Sequence, residues 1–362
     1  MLRALISPGK YVQGAGALEK IGSFASELGS KALVIDSKTA LKQGGSKLVT
    51  GLGRIPAVTA EFAGEVSKKE INRLRERAQA EGADFIIGFG GGKVIDTAKT
   101  VSHYLKAPVA IVPSIAATDA PTSALAVIYT EEGVFEEYLL LPKNPDLVLV
   151  DTSLIAQAPV RFLISGMGDA LATKFEAETY NQSRKAAMSG GIPTAAALAL
   201  ANLCYETLLE YGPAAKASAV KHVVSTALER IVEANTLLSG LGFESGGLAA
   251  AHAIHNGFTA LEETHSMYHG EKVAFATIVQ LILEEQPLEQ IEEVIAFCKA
   301  VGLPTTLAQL GISNIVPEDI MQVARAATTA GETIHNEPFP VTAQMVYDAI
   351  LSANALGCAE EK

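Results

Sequence analysis

Several things are scarce in this chain, and each scarcity removes a class of function. Cysteine occurs only at Cys204, Cys298 and Cys358. An odd number at wide spacing gives no disulfide framework and points to free thiols in a reducing compartment. Lysine and arginine number 28 against 40 acidic residues, a formal charge of −12 and a pI near 5.1. No basic stripe interrupts that balance, which argues against a nucleic-acid partner. No run of about 18 apolar residues occurs, so no membrane span is expected. The stretch Met1 to Tyr11 lacks an apolar core of signal-peptide length, and the expected compartment is the cytoplasm. Neither the dinucleotide fingerprint GxGxxG nor the P-loop GxxxxGK[ST] opens a helix here.

Apolar residues are abundant: 49% of 362, with a mean hydropathy of +0.26. That composition belongs to a globular protein with a large core. In the first part, short apolar runs alternate with helical patterns. Expected strands are Ala32 to Ile35, Phe85 to Phe89, Val109 to Val112 and Leu147 to Val150, with a charged helix over Lys68 to Glu81. This alternation predicts a parallel sheet covered by helices. Ala126 to Tyr129 and Tyr138 to Leu141 flank Glu132-Gly133 as an antiparallel hairpin insert. Beyond about residue 160, Ala- and Leu-rich stretches such as Thr194 to Leu209 and Ala217 to Leu238 carry helical spacing. The expected organisation is an α/β, Rossmann-like nucleotide-binding domain over 1–160, followed by an all-helical domain over 161–362. The active site is expected in a cleft between them.

Two features carry chemistry. Gly90-Gly91-Gly92-Lys93, with Asp96 behind it, follows the apolar run Phe85 to Phe89 and precedes a helix. Glycines without Cβ atoms let backbone N–H groups approach an anion, and the helix N-terminus adds partial positive charge. The pattern fits a phosphate-bearing ligand, though triple glycines also occur in loops without one. The second feature is histidine. Four of the seven lie between Ala251 and Gly270: His252, His255, His265 and His269. Neutral imidazole is a common metal ligand, and a catalytic zinc site needs about three protein ligands. Asp169 could add a carboxylate. On its own it reads as the N-cap of a helix over Ala170 to Tyr180.

These pieces resemble the bacterial glycerol dehydrogenases of the iron-type alcohol dehydrogenase superfamily. The resemblance rests on Gly166 to Thr173, Gly242 to His252, His269 to Val273, Gly331 to Asn336, Thr118 to Pro121 and Ser7 to Tyr11, in that family's order to about residue 358. It implies one Zn²⁺ per subunit held by Asp169, His252 and His269, with His255 and His265 behind the ligands or in the substrate pocket. In iron-binding relatives a fourth ligand, histidine, stands four residues after the aspartate; Thr173 stands there here, which favours zinc with an open position. NAD is implied on Asp36, Ser37, Gly91, Gly92, Lys93, Val94, Ile95, Asp96, Ser114, Ala117, Ser123, Leu125 and Tyr129. The ribose-binding acid of the family aligns with Ser37, so Asp36 comes one place early. Ala117 and Ser114 replace residues usual there, and Lys174 stands where tryptophan is expected. Asp119 is implied as the residue that contacts the substrate hydroxyls, with His252 and His269 at the reacting centre.

The implied activity is NAD-dependent oxidation of glycerol to dihydroxyacetone by a cytoplasmic homo-oligomer, an octamer by resemblance. A dehydrogenase of another small diol or 2-hydroxy acid is the near alternative. A dehydroquinate-synthase-like cyclase shares the fold, but it needs several Lys or Arg residues for a phosphorylated substrate, and no such cluster accompanies the histidines. A non-catalytic binding protein on an inherited fold is the remaining rival.

Overall fold

In the computed structural model, Leu2–Ala359 are described. Eight strands occur among them: β1 (Tyr11–Gly14), β2 (Ala32–Asp36), β3 (Ala57–Glu61), β4 (Phe85–Gly90), β5 (Val109–Pro113), β6 (Leu125–Tyr129), β7 (Phe135–Leu140) and β8 (Leu147–Asp151). Six of them form one parallel sheet in the order β1-β8-β5-β4-β2-β3. The four expected strands are its centre, and every residue of β2, β4, β5 and β8 is buried. Helices on both faces make continuous apolar runs the stable pattern for such strands. On one face, Leu18, Ile21, Val34, Leu48, Phe85, Ile87, Phe89 and Leu149 form a shared apolar cluster.

The sequence reading missed β1 and β3. Both are edge strands with half-exposed residues, Tyr-Val-Gln-Gly and Ala-Val-Thr-Ala-Glu, so neither shows an apolar run. The hairpin β6–β7 is antiparallel, as expected. From β2 the chain moves outward to β3, then returns to β4 on the other side of β2. Ligands in open α/β sheets bind beyond the carboxyl ends of the strands at such a reversal. Here those ends carry Asp36 on β2 and Gly90 on β4, and Asp36 pairs in register with Phe89.

The remainder is mostly helical. The chain divides into two compact units, and the division differs from a single break near residue 160 in two places. Ala217–Gly240 belongs with Ile6–Phe162, and the N-terminal residues up to Leu5 belong with the helical unit. The first exchange has visible anchors: Gln13 donates to the Glu229 carbonyl, Asn235 donates to the Ala116 carbonyl at 3.0 Å, and Thr122 donates to the Thr236 carbonyl at 2.8 Å. The long helix expected over Ala217 to Leu238 is also interrupted. One helix ends at Val220, His222 takes a φ of 55°, and a new helix begins at Thr226.

In the helical unit, Val160–Ser183 is the element on which the site is built. Asp169 therefore lies mid-helix and caps nothing, contrary to the N-cap reading. Gly166 and Gly168 look like a helix stop, but the helix runs through both and Gly168 serves a close approach. A Cβ on Gly168 would collide with the Gly270 carbonyl, and one on Gly270 would collide with the Ser165 carbonyl. Helix His269–Leu283 thus begins backbone-to-backbone against Val160–Ser183. Gly247, at φ 99° and hard against the Tyr180 ring, turns the chain into helix Ala250–Phe258, which carries His252.

Candidate metal centre and nucleotide site

Asp169, His252 and His269 come together, their ligand atoms all within 4.8 Å of one another. His269 Nε2 lies 3.0 Å and His252 Nε2 3.6 Å from the same oxygen, Asp169 Oδ1. Asp169 is buried; His252 and His269 are partly open, with side-chain exposures of 17% and 36%. Burial works against the Asp169 charge, yet the two imidazoles hold its carboxyl far below the usual range. Burial likewise works against charge on His252, but Glu176 and Asp169 raise its pKa well above the ordinary value.

Hydrogen-bond directions fix both tautomers. Glu176, fully buried two turns after Asp169 on the same helix, accepts from His252 Nδ1 at 2.6 Å. It also accepts the backbone N–H groups of Ala249 and His252 at 2.9 and 3.0 Å. For His269, the chain of bonds starts at Glu332. Its carboxylate accepts from Asn256 Nδ2 at 3.0 Å, so Asn256 Oδ1 is left to accept from His255 Nδ1 at 3.1 Å. His255 Nε2 must then accept, and His269 Nδ1 donates to it across 3.0 Å. Both imidazoles thereby keep a proton on Nδ1 and turn Nε2 toward Asp169 Oδ1. Orientation of a metal-binding imidazole by a partner on its other nitrogen is the usual second layer of such sites. Burial, then His269, push the His255 pKa well below normal, so it stays neutral. The carboxylate and two imidazoles, each with a proton on Nδ1, are a donor set that fits a divalent ion.

His265 does not join the group. It is exposed and bonds the Thr259 carbonyl. Thr173 is buried one turn after Asp169, and its methyl packs where Gly242 has no Cβ. Lys174 lies over the Tyr205 ring at 4.5 Å and the Phe175 ring at 5.4 Å, a cation–π contact at the place of the expected tryptophan. Lys272 is buried nearby, and its pKa is depressed by that burial.

The start of helix Ala250–Phe258 is held almost entirely by side chains. Glu176 takes Ala249 and His252, Glu337 takes Ala250, and Gln280 takes Ala251. Thr333 and Asn336 donate to the Ala249 and Leu248 carbonyls. This is the work of the Gly331 to Asn336 motif. Burial, then Glu284, push the Glu337 carboxyl up to about 9, so it carries a proton at neutral pH.

At the sheet reversal, helix Gly92–Leu105 starts at Gly91 with no side-chain cap. The nearest atom to a Cβ on Gly92 would be Thr118 Oγ1, 4.0 Å away, so the first turn is open to an anion. Val94 and Ile95 are buried and offer that turn only their backbone. Lys93 pairs with Glu65 at 2.6 Å and lies 5.4 Å from the Tyr129 ring centre. Asp96 points inward instead: it pairs with buried Lys99 at 2.9 Å and accepts the Val127 N–H at 3.1 Å. Ser114 and Ser123 are buried, while Ala117, Leu125 and Tyr129 are half-buried. Burial, then Asp96, raise the Tyr129 pKa to about 12.

The two candidate positions at the end of β2 differ in what they already bond. Ser37 is occupied as the N-cap of helix Lys38–Leu52, accepting from Ala40 N at 3.2 Å. Asp36 Oδ2 is buried with no hydrogen-bond partner, and burial followed by Glu61 raises its pKa to about 6. A hydroxyl donor would satisfy that oxygen, and a ribose carries two. Lys38 beside it pairs with Glu61 at 3.0 Å.

Sequence reasoning missed Glu176, Gln280, Glu337, Asn256 and Glu332. Only Glu176 had a signal, its seven-residue spacing from Asp169 along one helix face.

Glu176→Gln keeps the shape but weakens the acceptor on His252. Divalent-metal affinity should fall about 10- to 100-fold, measured by titration against a competing chelator. An unchanged affinity would remove Glu176 from the metal centre. Glu337 gives a pH prediction. Its folded pKa lies above the unfolded carboxyl value of about 4.3, so the folded state binds the extra proton between those values. Stability from this group is full below the lower value and is lost as pH rises toward about 9. Urea midpoints of chelator-treated protein should fall from pH 6 to 9, and Glu337→Gln should flatten that slope. Parallel slopes for both proteins would refute the assignment.

Residues 8–152 match the iron-containing alcohol dehydrogenase family. The chain is 54% identical over 359 residues to a glycerol dehydrogenase of Citrobacter freundii, covering 99% of this chain and 98% of that one. It is 48% identical to a glycolaldehyde reductase of Halobacterium salinarum strain NRC-1, covering 97% of each. Among solved structures, a probable glycerol dehydrogenase from Sinorhizobium meliloti 1021 superposes with a TM-score of 0.93 at 45% identity, over 98% of this chain and 99% of that chain. The chain belongs to the iron-containing alcohol dehydrogenases, in the branch that holds the glycerol dehydrogenases.

Proposed function

We propose that this protein oxidises glycerol to dihydroxyacetone with NAD⁺, and that zinc is its metal. The observation that carries the reading is the convergence of His252 Nε2 and His269 Nε2 on one oxygen of Asp169. When bound, the metal supplies Lewis acidity that lowers the pKa of a substrate hydroxyl, and the nicotinamide supplies the hydride acceptor. The protein's own residues do the rest. Asp169, His252 and His269 hold the ion, and Glu176 and His255 keep both imidazoles in the ligating tautomer. Asp119 accepts a hydrogen bond from a substrate hydroxyl and orients it. The open first turn at Gly91, Gly92 and Lys93 takes the pyrophosphate, and Asp36 takes the ribose. Thr173 in place of a fourth imidazole supports zinc with a free coordination position.

A small neutral diol would suit this donor set, because its two hydroxyls could both reach an ion held by Asp169, His252 and His269. The 48% identity to a glycolaldehyde reductase keeps a two-carbon substrate as the nearest alternative. The protein is further proposed to be a cytoplasmic homo-oligomer, an octamer; among the described residues no helix is long and apolar enough to cross a membrane.

At saturating NAD⁺, glycerol should exceed 2-propanol, D-lactate and glycerol 1-phosphate in kcat/KM by more than tenfold. His252→Ala should lose metal and turnover together. A phosphorylated or carboxylated substrate ahead by tenfold, about 1.4 kcal/mol in transition-state binding, would sink the diol reading. So would full turnover in the His252 variant.

Cofactor choice has its own test. The buried Asp36 carboxylate accepts from a ribose and repels a 2′-phosphate. NAD⁺ should be preferred over NADP⁺, and Asp36→Ala should narrow the ratio. Equal kcat/KM for both cofactors in the parent enzyme would overturn this.

A further inference from the structure

The segment Ala217–Gly240 leaves the helical part of the sequence and packs with the α/β unit. Its last residues form a π-helical turn, Ala234–Leu238. Such turns are rare and recur at functional sites. This one faces the loop between β5 and β6, which carries Ala117 and Asp119.

Three side-chain bonds join the turn and the loop. Asn235 Nδ2 donates to the Ala116 carbonyl at 3.0 Å, Thr122 Oγ1 donates to the Thr236 carbonyl at 2.8 Å, and Ser239 Oγ donates to Asp119 Oδ2 at 2.7 Å. Asn235, Thr236 and Ser239 are buried. Gly240 follows, where a Cβ would collide with Thr122 Oγ1. From the opposite side, buried Lys99 donates to the carbonyls of Ala120, at 3.0 Å, and of Leu125, and its charge is matched by Asp96. The loop is thus gripped between a buried ammonium and the π turn. Only the Ser239 bond reaches a functional side chain; the others hold backbone.

We propose that Ser239 is a positioning residue for the reaction. Its hydroxyl fixes the Asp119 carboxylate in one orientation, with Oδ2 engaged, and so sets how the substrate hydroxyl is bound. The π turn and the residue that follows it set Asn235, the Thr236 carbonyl and Ser239 against the loop. The proposal rests on the reading of Asp119 as the substrate contact.

A bond from a neutral donor to a carboxylate is a charge-assisted one, so its loss should be readable. Ser239→Ala should lower kcat/KM for glycerol about tenfold, chiefly through KM. NAD⁺ affinity, metal content and thermal midpoint should stay near those of the parent, since none of the three metal ligands is touched. Ser239→Cys, close in shape with a weaker donor, should fall between parent and Ala, and serves if the Ala variant folds poorly. The decisive measurement is a double-mutant cycle. In an Asp119→Ala background, Ser239→Ala should cost nothing further. If Asp119→Ala alone impairs glycerol turnover but the two losses multiply fully, Ser239 is merely structural and the inference fails. If Asp119→Ala leaves glycerol kinetics unchanged, the reading of Asp119 itself fails and the inference goes with it. A Ser239→Ala variant with parental KM overturns the proposal directly.

Discussion

The metal centre depends on two helix backbones touching. Gly168 and Gly270 have no Cβ, and any larger residue at either would strike a carbonyl of the other helix. Ordinary helix pairs stay 8–10 Å apart because side chains intervene. The closer approach puts Asp169, next to Gly168, against His269, next to Gly270, at 3.0 Å. The same helix, two turns on, presents Glu176 to His252. One rigid element therefore sets a ligand and the partner of another ligand, and a rigid element holds such geometry better than a loop.

Burying this much charge is costly unless every charge has a partner. The structure meets that cost by giving carboxylates to backbone N–H groups at the start of helix Ala250–Phe258, and by keeping Glu337 protonated. Asp169 and Glu176 favour the charged form of His252 against its burial, and a divalent ion held there would supply positive charge beside the same carboxylates. Neutral His255 completes the arrangement: it accepts from His269 without adding a positive charge to a site meant for a cation.

Much of this was legible in the sequence, and the rest was hidden for definite reasons. The central strands announced themselves because burial on both faces demands unbroken apolar runs, whereas β1 and β3 lie at edges and need none. Gly91, Gly92 and the crowded histidines pointed to chemistry because those residue types have few structural uses in such density. The N-cap reading of Asp169 failed because flanking glycines signal either a helix end or a close crossing, and spacing alone does not separate the two. Ser37 was the aligned acid position, but its hydroxyl caps a helix, while Asp36 Oδ2 has no hydrogen-bond partner. Ser239, Lys99 and Asn256 gave no signal, since each acts on a residue far away in the chain. The segment Ala217–Gly240 is helical in pattern, and pattern says nothing about which unit a helix joins.

The two sites use different materials, and this bears on specificity. The candidate nucleotide site is mostly main chain: a bare helix start, glycines and one carboxylate. Such a site tolerates sequence change so long as backbone and glycine remain. The metal set likewise responds to oxygen donors as a class, not to which small alcohol bears them. Discrimination among substrates must then fall to side chains that touch the rest of the molecule. In the α/β unit the loop carrying Asp119 is held through its backbone by Lys99 and through the Asp119 carboxylate by Ser239. Moving one hydrogen-bond acceptor alters recognition of a hydroxyl strongly, because a polar group left unpaired in a closed site costs more than a lost apolar contact.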